Sequence, residues 1–205
     1  MRSLFFEGNI QIGKSSCLRQ LLRNSKLKVS GFAVVRIIHD QALLGFSIET
    51  LKTSIPPVNE VVRHRDAFLE KHNVFDTNVV TTVLKTVRDE MKTSTADALL
   101  LDEIGGREML DEEIMALYKE ILTGPLPCIG ILKAERNLLK PFMSDEVKST
   151  LINNRNKLIH YIEADGLVVD VADNPEKITG YFEKWMSANH KKIPPKQMFD
   201  GTSHV

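Results

Sequence analysis

The sequence has few cysteines: among its 205 residues only Cys17 and Cys128 are present. Two cysteines are too few for a disulfide framework or for a zinc site built from cysteines. This scarcity favours a reducing, cytoplasmic compartment. Cys17 lies close to a predicted helix start, and we expect it to be a partly or fully buried helix residue.

An excess of charge of one sign is also lacking, since Lys plus Arg and Asp plus Glu each number 27 and the formal net charge is zero. Without a broad basic field, neither nucleic acid nor an anionic membrane surface is an expected partner. No apolar run approaches the ~20 residues that a membrane span needs, and the glycine-rich segment near residue 8 leaves no room for a preceding signal peptide. Any affinity for phosphate must therefore be local.

The segment Gly-Asn-Ile-Gln-Ile-Gly-Lys-Ser at residues 8–15 matches the phosphate-binding loop pattern G-x-x-x-x-G-K-[ST]. It follows an apolar run at 3–6 and precedes a segment with leucines at helical spacing, so it lies between a strand and a helix. The residues expected to bind the phosphates are Gly8, Asn9, Ile10, Gln11, Ile12, Gly13, Lys14, Ser15 and Ser16. Lys14 would reach the β- and γ-phosphates, and the Ser15 hydroxyl would be a ligand of Mg²⁺.

A second group of polar residues follows the apolar run at 98–101, where Asp102 and Glu103 stand together. An apolar strand that ends in an acidic pair is common by itself. Together with the phosphate-binding loop, it predicts that Asp102 lies in the Mg²⁺ shell. Glu103, one residue later, is placed to orient or deprotonate an attacking water.

The rest of the chain alternates strands with helices, which predicts an α/β fold with a mainly parallel sheet and helices on both faces. We expect strands at 29–38, 43–50, 128–132 and 167–171, of which the first two form a hairpin. We expect helices at 77–91, 111–122, 144–162 and from Asn174 to residue 185 or 186, although 160–162 could instead be an extended edge. The predicted domains are a nucleotide-binding domain at 1–189 and a C-terminal tail at 190–205.

These motifs resemble the P-loop nucleoside-triphosphatase family first described from thermophiles, which vertebrates also contain as the cancer-related nucleoside triphosphatase. The most specific element is Asp-Glu-Ile-Gly at 102–105, followed by Glu108 and then Met-Leu, which is similar to the family's Asp-Glu-Ile-Gly-x-x-Glu-Leu. Gly-Phe at 31–32 and at 45–46 also resembles the family's paired strands. The likeness extends over most of residues 3–188.

This resemblance implies a recombinase-like P-loop NTPase that needs Mg²⁺ and hydrolyses nucleoside triphosphates, ATP and GTP among them, to diphosphates and phosphate with broad base tolerance. Its expected catalytic residues are Lys14, Glu103 and Arg155, the last as a candidate for an arginine that approaches the γ-phosphate. The chain departs from the family where Asn9 and Ile10 replace prolines. A monomer is the favoured oligomeric state.

Two other functions share the phosphate-binding loop. A nucleoside or nucleotide kinase would need an acceptor pocket, which the polar stretch at 63–72 could form. A non-enzymatic nucleotide switch specific for guanine normally shows Asn-Lys-x-Asp, and the sequence Asn-Lys-Leu-Ile at 156–159 lacks the acid.

Overall fold

The computed structural model describes residues 1–39, 42–51, 55, 59–60, 69–70, 76–93 and 95–190. The predicted acceptor segment at 63–72 lies mostly outside these residues, and the tail from residue 191 lies outside them entirely. The strands are β1 Leu4–Glu7, β2 Val29–His39, β3 Ala42–Thr50, β4 Asn59–Glu60, β5 Leu69–Glu70, β6 Ala98–Ile104, β7 Cys128–Leu132 and β8 Leu167–Asp170. The helices are α1 Lys14–Asn24, α2 Thr77–Thr93, α3 Glu112–Leu122, α4 Glu135–Leu138, α5 Asp145–Glu163 and α6 Lys177–Asn189, with a 3-10 turn at Arg107–Leu110.

The described strands form one sheet in the order β5-β3-β2-β6-β7-β1-β8, with β4 also paired to β2. The pairs among β2, β6, β7, β1 and β8 are parallel, and only β3 and β5 add antiparallel pairs. The carboxyl ends of β1, β6 and β7 therefore meet at one edge of the sheet, where ligands of open α/β sheets bind. One strand, β7, separates the strand before the P-loop from the strand that carries the acidic pair.

Each face of the sheet carries its own core because adjacent strand residues point to opposite faces. Phe5, Leu99 and Leu101 pack with α2, α3 and α5, whereas Leu4, Phe6 and Leu100 pack with α1 and α6. All six of these strand side chains are fully buried. Helices on both faces of a mainly parallel sheet confirm the predicted α/β class.

The hairpin and the helix at 77–91 are confirmed as β2–β3 and α2, the latter two residues longer than predicted. Residues 160–162 are helical, because α5 continues to Glu163. The strand that begins at Ala98 runs to Ile104, so Asp102 and Glu103 lie near its carboxyl end, as predicted. The parallel register with β7 shifts between Asp102 and Ile104.

The last helix was predicted with Asn174 as its cap and Pro175 in its first turn, but α6 begins two residues later, at Lys177. The Asn174 side chain accepts a hydrogen bond from the Glu176 N–H, and Pro175 and Glu176 accept from Ile178 and Thr179 three residues later. A side-chain turn followed by tight i→i+3 bonds therefore replaces the first α-helical turn. The helix also continues past the predicted end to Asn189, whose side chain donates to the Met1 carbonyl.

Among the described residues, no helix combines the length and the apolar character that crossing a bilayer requires.

Candidate functional site

The P-loop connects β1 to α1 through two glycines in unusual backbone conformations. Gly8 has φ +149°, and a Cβ there would lie 2.8 Å from the Ala172 carbonyl oxygen. Gly13 has φ +90° and is the N-cap of α1, with Lys14 as the first helical residue. Both positions need glycine, since side chains rarely adopt such φ values. The result is a helix whose first N–H groups face the loop, an arrangement that favours anions.

The remaining predicted phosphate-binding residues line this loop. Ile10 and Gln11 are exposed, and Gln11 has a positive φ of 63°. Ile12 packs partly against the core formed by α1 and α6. Ser16 is exposed in the first turn of α1.

Lys14 lies across the P-loop. Its Nζ donates to the carbonyl oxygens of Gly8 at 3.0 Å and Asn9 at 2.5 Å, and the residue is 8% exposed. Burial lowers the pKa of Lys14, while the carboxylates of Glu103 and Asp102 act in the opposite direction. The ammonium is therefore held beside the loop by neutral carbonyls, where a phosphate would be a better partner.

Ser15 and Asp102 meet, although 87 positions separate them in the chain. The Ser15 hydroxyl donates to Asp102 Oδ1 at 2.8 Å. A hydroxyl and a carboxylate oxygen are the hard donors that Mg²⁺ takes in P-loop proteins, in combination with phosphate oxygens and waters. These residues thus fit a magnesium ion. Within the part of the chain that is described, no group of three or more His, Cys, Asp or Glu side chains could bind a metal without the nucleotide.

Arg19 is a site residue that sequence reasoning missed. Its Nε lies 2.6 Å from Asp102 Oδ2 and its Nη2 donates to the Val34 carbonyl at 2.7 Å. Both charged side chains are 1% exposed. Burial raises the pKa of Asp102, and Arg19 opposes this effect. The available signal was spacing, because Arg19 follows Ser15 by four positions and so shares its face of α1.

Glu103 points to a different partner from Asp102. Its carboxylate lies 3.2 Å from Lys133 Nζ, just after β7, and its side chain is 36% exposed. Burial alone would lower the pKa of Lys133, but Glu103 and Glu108 outweigh burial and raise it. Glu103 is thus a solvent-accessible carboxylate at the sheet edge, held by a cation.

Glu108 is buried below this pair. Its Oε1 accepts hydrogen bonds from the Gly106 N–H at 2.6 Å and from the Tyr118 hydroxyl at 3.4 Å. Burial raises the pKa of Glu108, and Lys133 lowers it in part. These contacts stabilise the turn after β6.

The structure places Arg155 between the ends of β1 and β7. Its Nε donates to the Lys133 carbonyl at 3.1 Å, and its Nη2 forms an ion pair with Glu7. The Arg155 side chain is 7% exposed. Its described partners belong to the strands that support the P-loop rather than to the loop itself.

Residues just after β7 also contact the P-loop, and sequence reasoning missed them. Arg136 Nε donates to Asn9 Oδ1 at 2.6 Å, and Asn137 Nδ2 donates to the Gly8 carbonyl at 3.0 Å. Asn9 also contacts the Asp173 carboxylate through its amide nitrogen. No sequence motif marks these positions, because only the sheet order brings the end of β7 beside the loop after β1.

Comparisons with known proteins agree with this geometry. The crystal structure of THEP1 from the hyperthermophile Aquifex aeolicus has a TM-score of 0.55 at 15% identity, covering 92% of this chain and 99% of that one. The solution structure of a human cancer-related nucleoside triphosphatase has a TM-score of 0.57 at 16% identity, with the same two coverages of 92% and 99%. Both show the same P-loop α/β fold. Comparison with curated protein sequences gives no match.

A family model described as NTPase matches residues 3–163, which include the P-loop, the acidic pair and Arg155. The family expected from the motifs is thereby confirmed. Since the match covers most of the 205 residues, this chain belongs to that NTPase family.

Proposed function

We propose that this chain is a Mg²⁺-dependent nucleoside triphosphatase that converts nucleoside triphosphates to diphosphates and inorganic phosphate with little selectivity for the base. The observation that carries this proposal is the hydrogen bond from Ser15 to Asp102, with Glu103 next in the chain. It joins the P-loop and the acidic strand into one site of the kind that phosphoryl transfer uses. We further propose a cytoplasmic monomer.

In this proposal the loop from Gly8 to Ser16 binds the triphosphate through backbone N–H groups. Lys14 leaves the carbonyls of Gly8 and Asn9 and binds the β- and γ-phosphate oxygens. Ser15 and Asp102 would hold Mg²⁺, which when bound would neutralise charge on the phosphate oxygens. Arg19 fixes the Asp102 carboxylate beneath the site.

Glu103 accepts a hydrogen bond from the attacking water and takes its proton. The water oxygen bonds to the γ-phosphorus as the bond from that phosphorus to the β,γ-bridging oxygen breaks, and the diphosphate leaves. Lys133 holds the Glu103 carboxylate in place before the nucleotide binds. Arg155 stays a candidate for the arginine that approaches the γ-phosphate, although it would have to leave Glu7 to do so.

A phosphate-release assay with ATP, GTP, CTP and UTP, with Mg²⁺ and with excess chelator, tests this function. We expect release from all four within about tenfold of one another, and loss of release with chelator. The same mixtures analysed for phosphorylated nucleosides or nucleotides detect a kinase. If a phosphorylated acceptor forms and no free phosphate is released, the chain is a kinase rather than a hydrolase. Nucleotide binding without turnover would favour a nucleotide switch.

A further inference from the structure

The segment just after β7 contacts both parts of the proposed site. Lys133 binds Glu103, Arg136 binds the Asn9 side chain and Asn137 binds the Gly8 carbonyl. The five residues at 133–137 thus place three polar side chains in contact with Glu103 or with the P-loop. A phosphate bound between the P-loop and the acidic pair would therefore lie close to this segment.

Arg136 and Lys14 contact the same residue of the P-loop, Asn9. Lys14 Nζ donates to the Asn9 backbone carbonyl, and Arg136 Nε donates to the Asn9 side-chain oxygen. The two positive charges also influence each other: burial lowers the pKa of Lys14, and the charge of Arg136 adds to that lowering. Two cations on one short loop repel each other, and an anion bound between them would relieve that repulsion.

Arg136 is held weakly enough to change partners. Its side chain is 46% exposed, and its ion pair with the equally exposed Asp170 spans 3.5 Å. Exposed ion pairs of this kind contribute little to stability. Arg155 differs, since its side chain is 7% exposed and its movement would break an ion pair with the largely buried Glu7.

We propose that Arg136 is a further catalytic residue that binds the γ-phosphate of the bound nucleoside triphosphate, a role that rests on the proposed hydrolysis. Its guanidinium leaves Asn9 and Asp170 and donates two parallel N–H bonds to γ-phosphate oxygens. There it stabilises the charge that these oxygens carry as the bond to the leaving diphosphate breaks. It supplies from within the chain the arginine that some nucleotide hydrolases receive from a partner.

Binding of a triphosphate and of a diphosphate separates this role from a merely structural one. The probes are the non-hydrolysable β,γ-imido analogue of ATP, and ADP, each with Mg²⁺ and measured by calorimetry on the full chain. We expect Arg136→Ala to weaken binding of the analogue by roughly 10- to 100-fold and to leave ADP binding within about twofold of wild type. Arg88→Ala, which removes a partly exposed arginine of α2, is the matched control and should change neither.

Turnover gives a second readout. Arg136→Ala should lower kcat by about 10³-fold, and Arg136→Lys, which keeps the charge but not the planar fork, should give an intermediate kcat. Equal losses of affinity for the analogue and for ADP would overturn the proposal, because they would mean that Arg136 only shapes the loop. Unchanged affinities would overturn it as well. If the wild-type chain releases no phosphate from any triphosphate, the proposed hydrolysis fails, while the two binding measurements still decide whether Arg136 contacts the γ-phosphate.

Discussion

The substitution Arg19→Met tests the buried ion pair beneath the proposed metal site. Arg19 and Asp102 are each 1% exposed, and Nε lies 2.6 Å from Oδ2. Removal of one partner from such a pair leaves an uncompensated buried charge and typically costs ~3–5 kcal/mol. Methionine has a helix propensity close to that of arginine, so loss of helix propensity contributes little. We expect a loss of about 3–5 kcal/mol in the free energy of unfolding.

Urea unfolding monitored by circular dichroism measures this loss directly. For a domain of this size, each kcal/mol corresponds to ~2–4 °C in Tm, so the melting temperature should fall by roughly 6–20 °C. Arg88→Met is the matched control on α2, where the side chain is 25% exposed and pairs with the more exposed Asp89 and Glu120, and it should change stability by no more than about 1 kcal/mol. The double variant Arg19→Met with Asp102→Asn should be clearly more stable than the sum of the two single losses predicts, because it removes the unpaired charge.

The loss should also depend on pH. Burial already raises the pKa of Asp102, and without Arg19 the pKa rises further. A carboxyl whose pKa is higher in the folded state than in the unfolded state contributes stability at low pH that is lost as pH rises through the folded pKa. The destabilisation by Arg19→Met should therefore be smaller near pH 5 than near pH 8. A stability loss no larger than that of Arg88→Met, or strict additivity in the double variant, would refute the ion pair as the source.

Three further substitutions or treatments follow from the same contacts. Lys14→Ala should weaken triphosphate binding by at least about tenfold and nearly abolish phosphate release, and wild-type binding and turnover would contradict the P-loop assignment. Iodoacetamide at pH 8 should modify Cys17 before Cys128, because burial raises the pKa of Cys128 to about 12; equal rates by mass spectrometry would contradict its burial. Deletion of 191–205 should shift Tm by less than about 2 °C, because α6 ends the described domain at Asn189, and a larger fall would place the domain boundary later.

The P-loop and the acidic strand could be predicted because their chemistry is local in sequence. Fixed spacing of glycine, lysine and serine defines the loop, and an apolar run defines the buried strand before Asp102. The contact between Ser15 and Asp102 required only that both motifs end at the same sheet edge. The sequence therefore predicted that the two motifs lie together, and that they bind nucleotide and Mg²⁺ stays a prediction.

Contacts made by residues without a motif could not be predicted. Arg19 looks like an ordinary polar residue of an amphipathic helix, and its burial depends on how α1 packs over β6. Arg136 lies in a short segment whose position is set by β7 lying between β1 and β6. The α-helical start of α6 lies two residues later than predicted because the turn that Asn174 caps is closed by tight i→i+3 bonds. Tertiary packing and local hydrogen bonds, rather than spacing, decide these cases.

Replacement of Glu103 by glutamine is the most direct test of the proposed hydrolysis. Glu103→Gln keeps the size and the hydrogen-bonding shape of the side chain but removes the carboxylate that takes the proton of the water. Asp102→Asn is the comparison variant, and it should weaken Mg²⁺-dependent nucleotide binding as well as turnover. The measurement is kcat for phosphate release under saturating ATP and Mg²⁺, together with ATP affinity. The account predicts a loss of about 10²–10⁴-fold in kcat for Glu103→Gln with ATP affinity retained, and a kcat near that of wild type would contradict it.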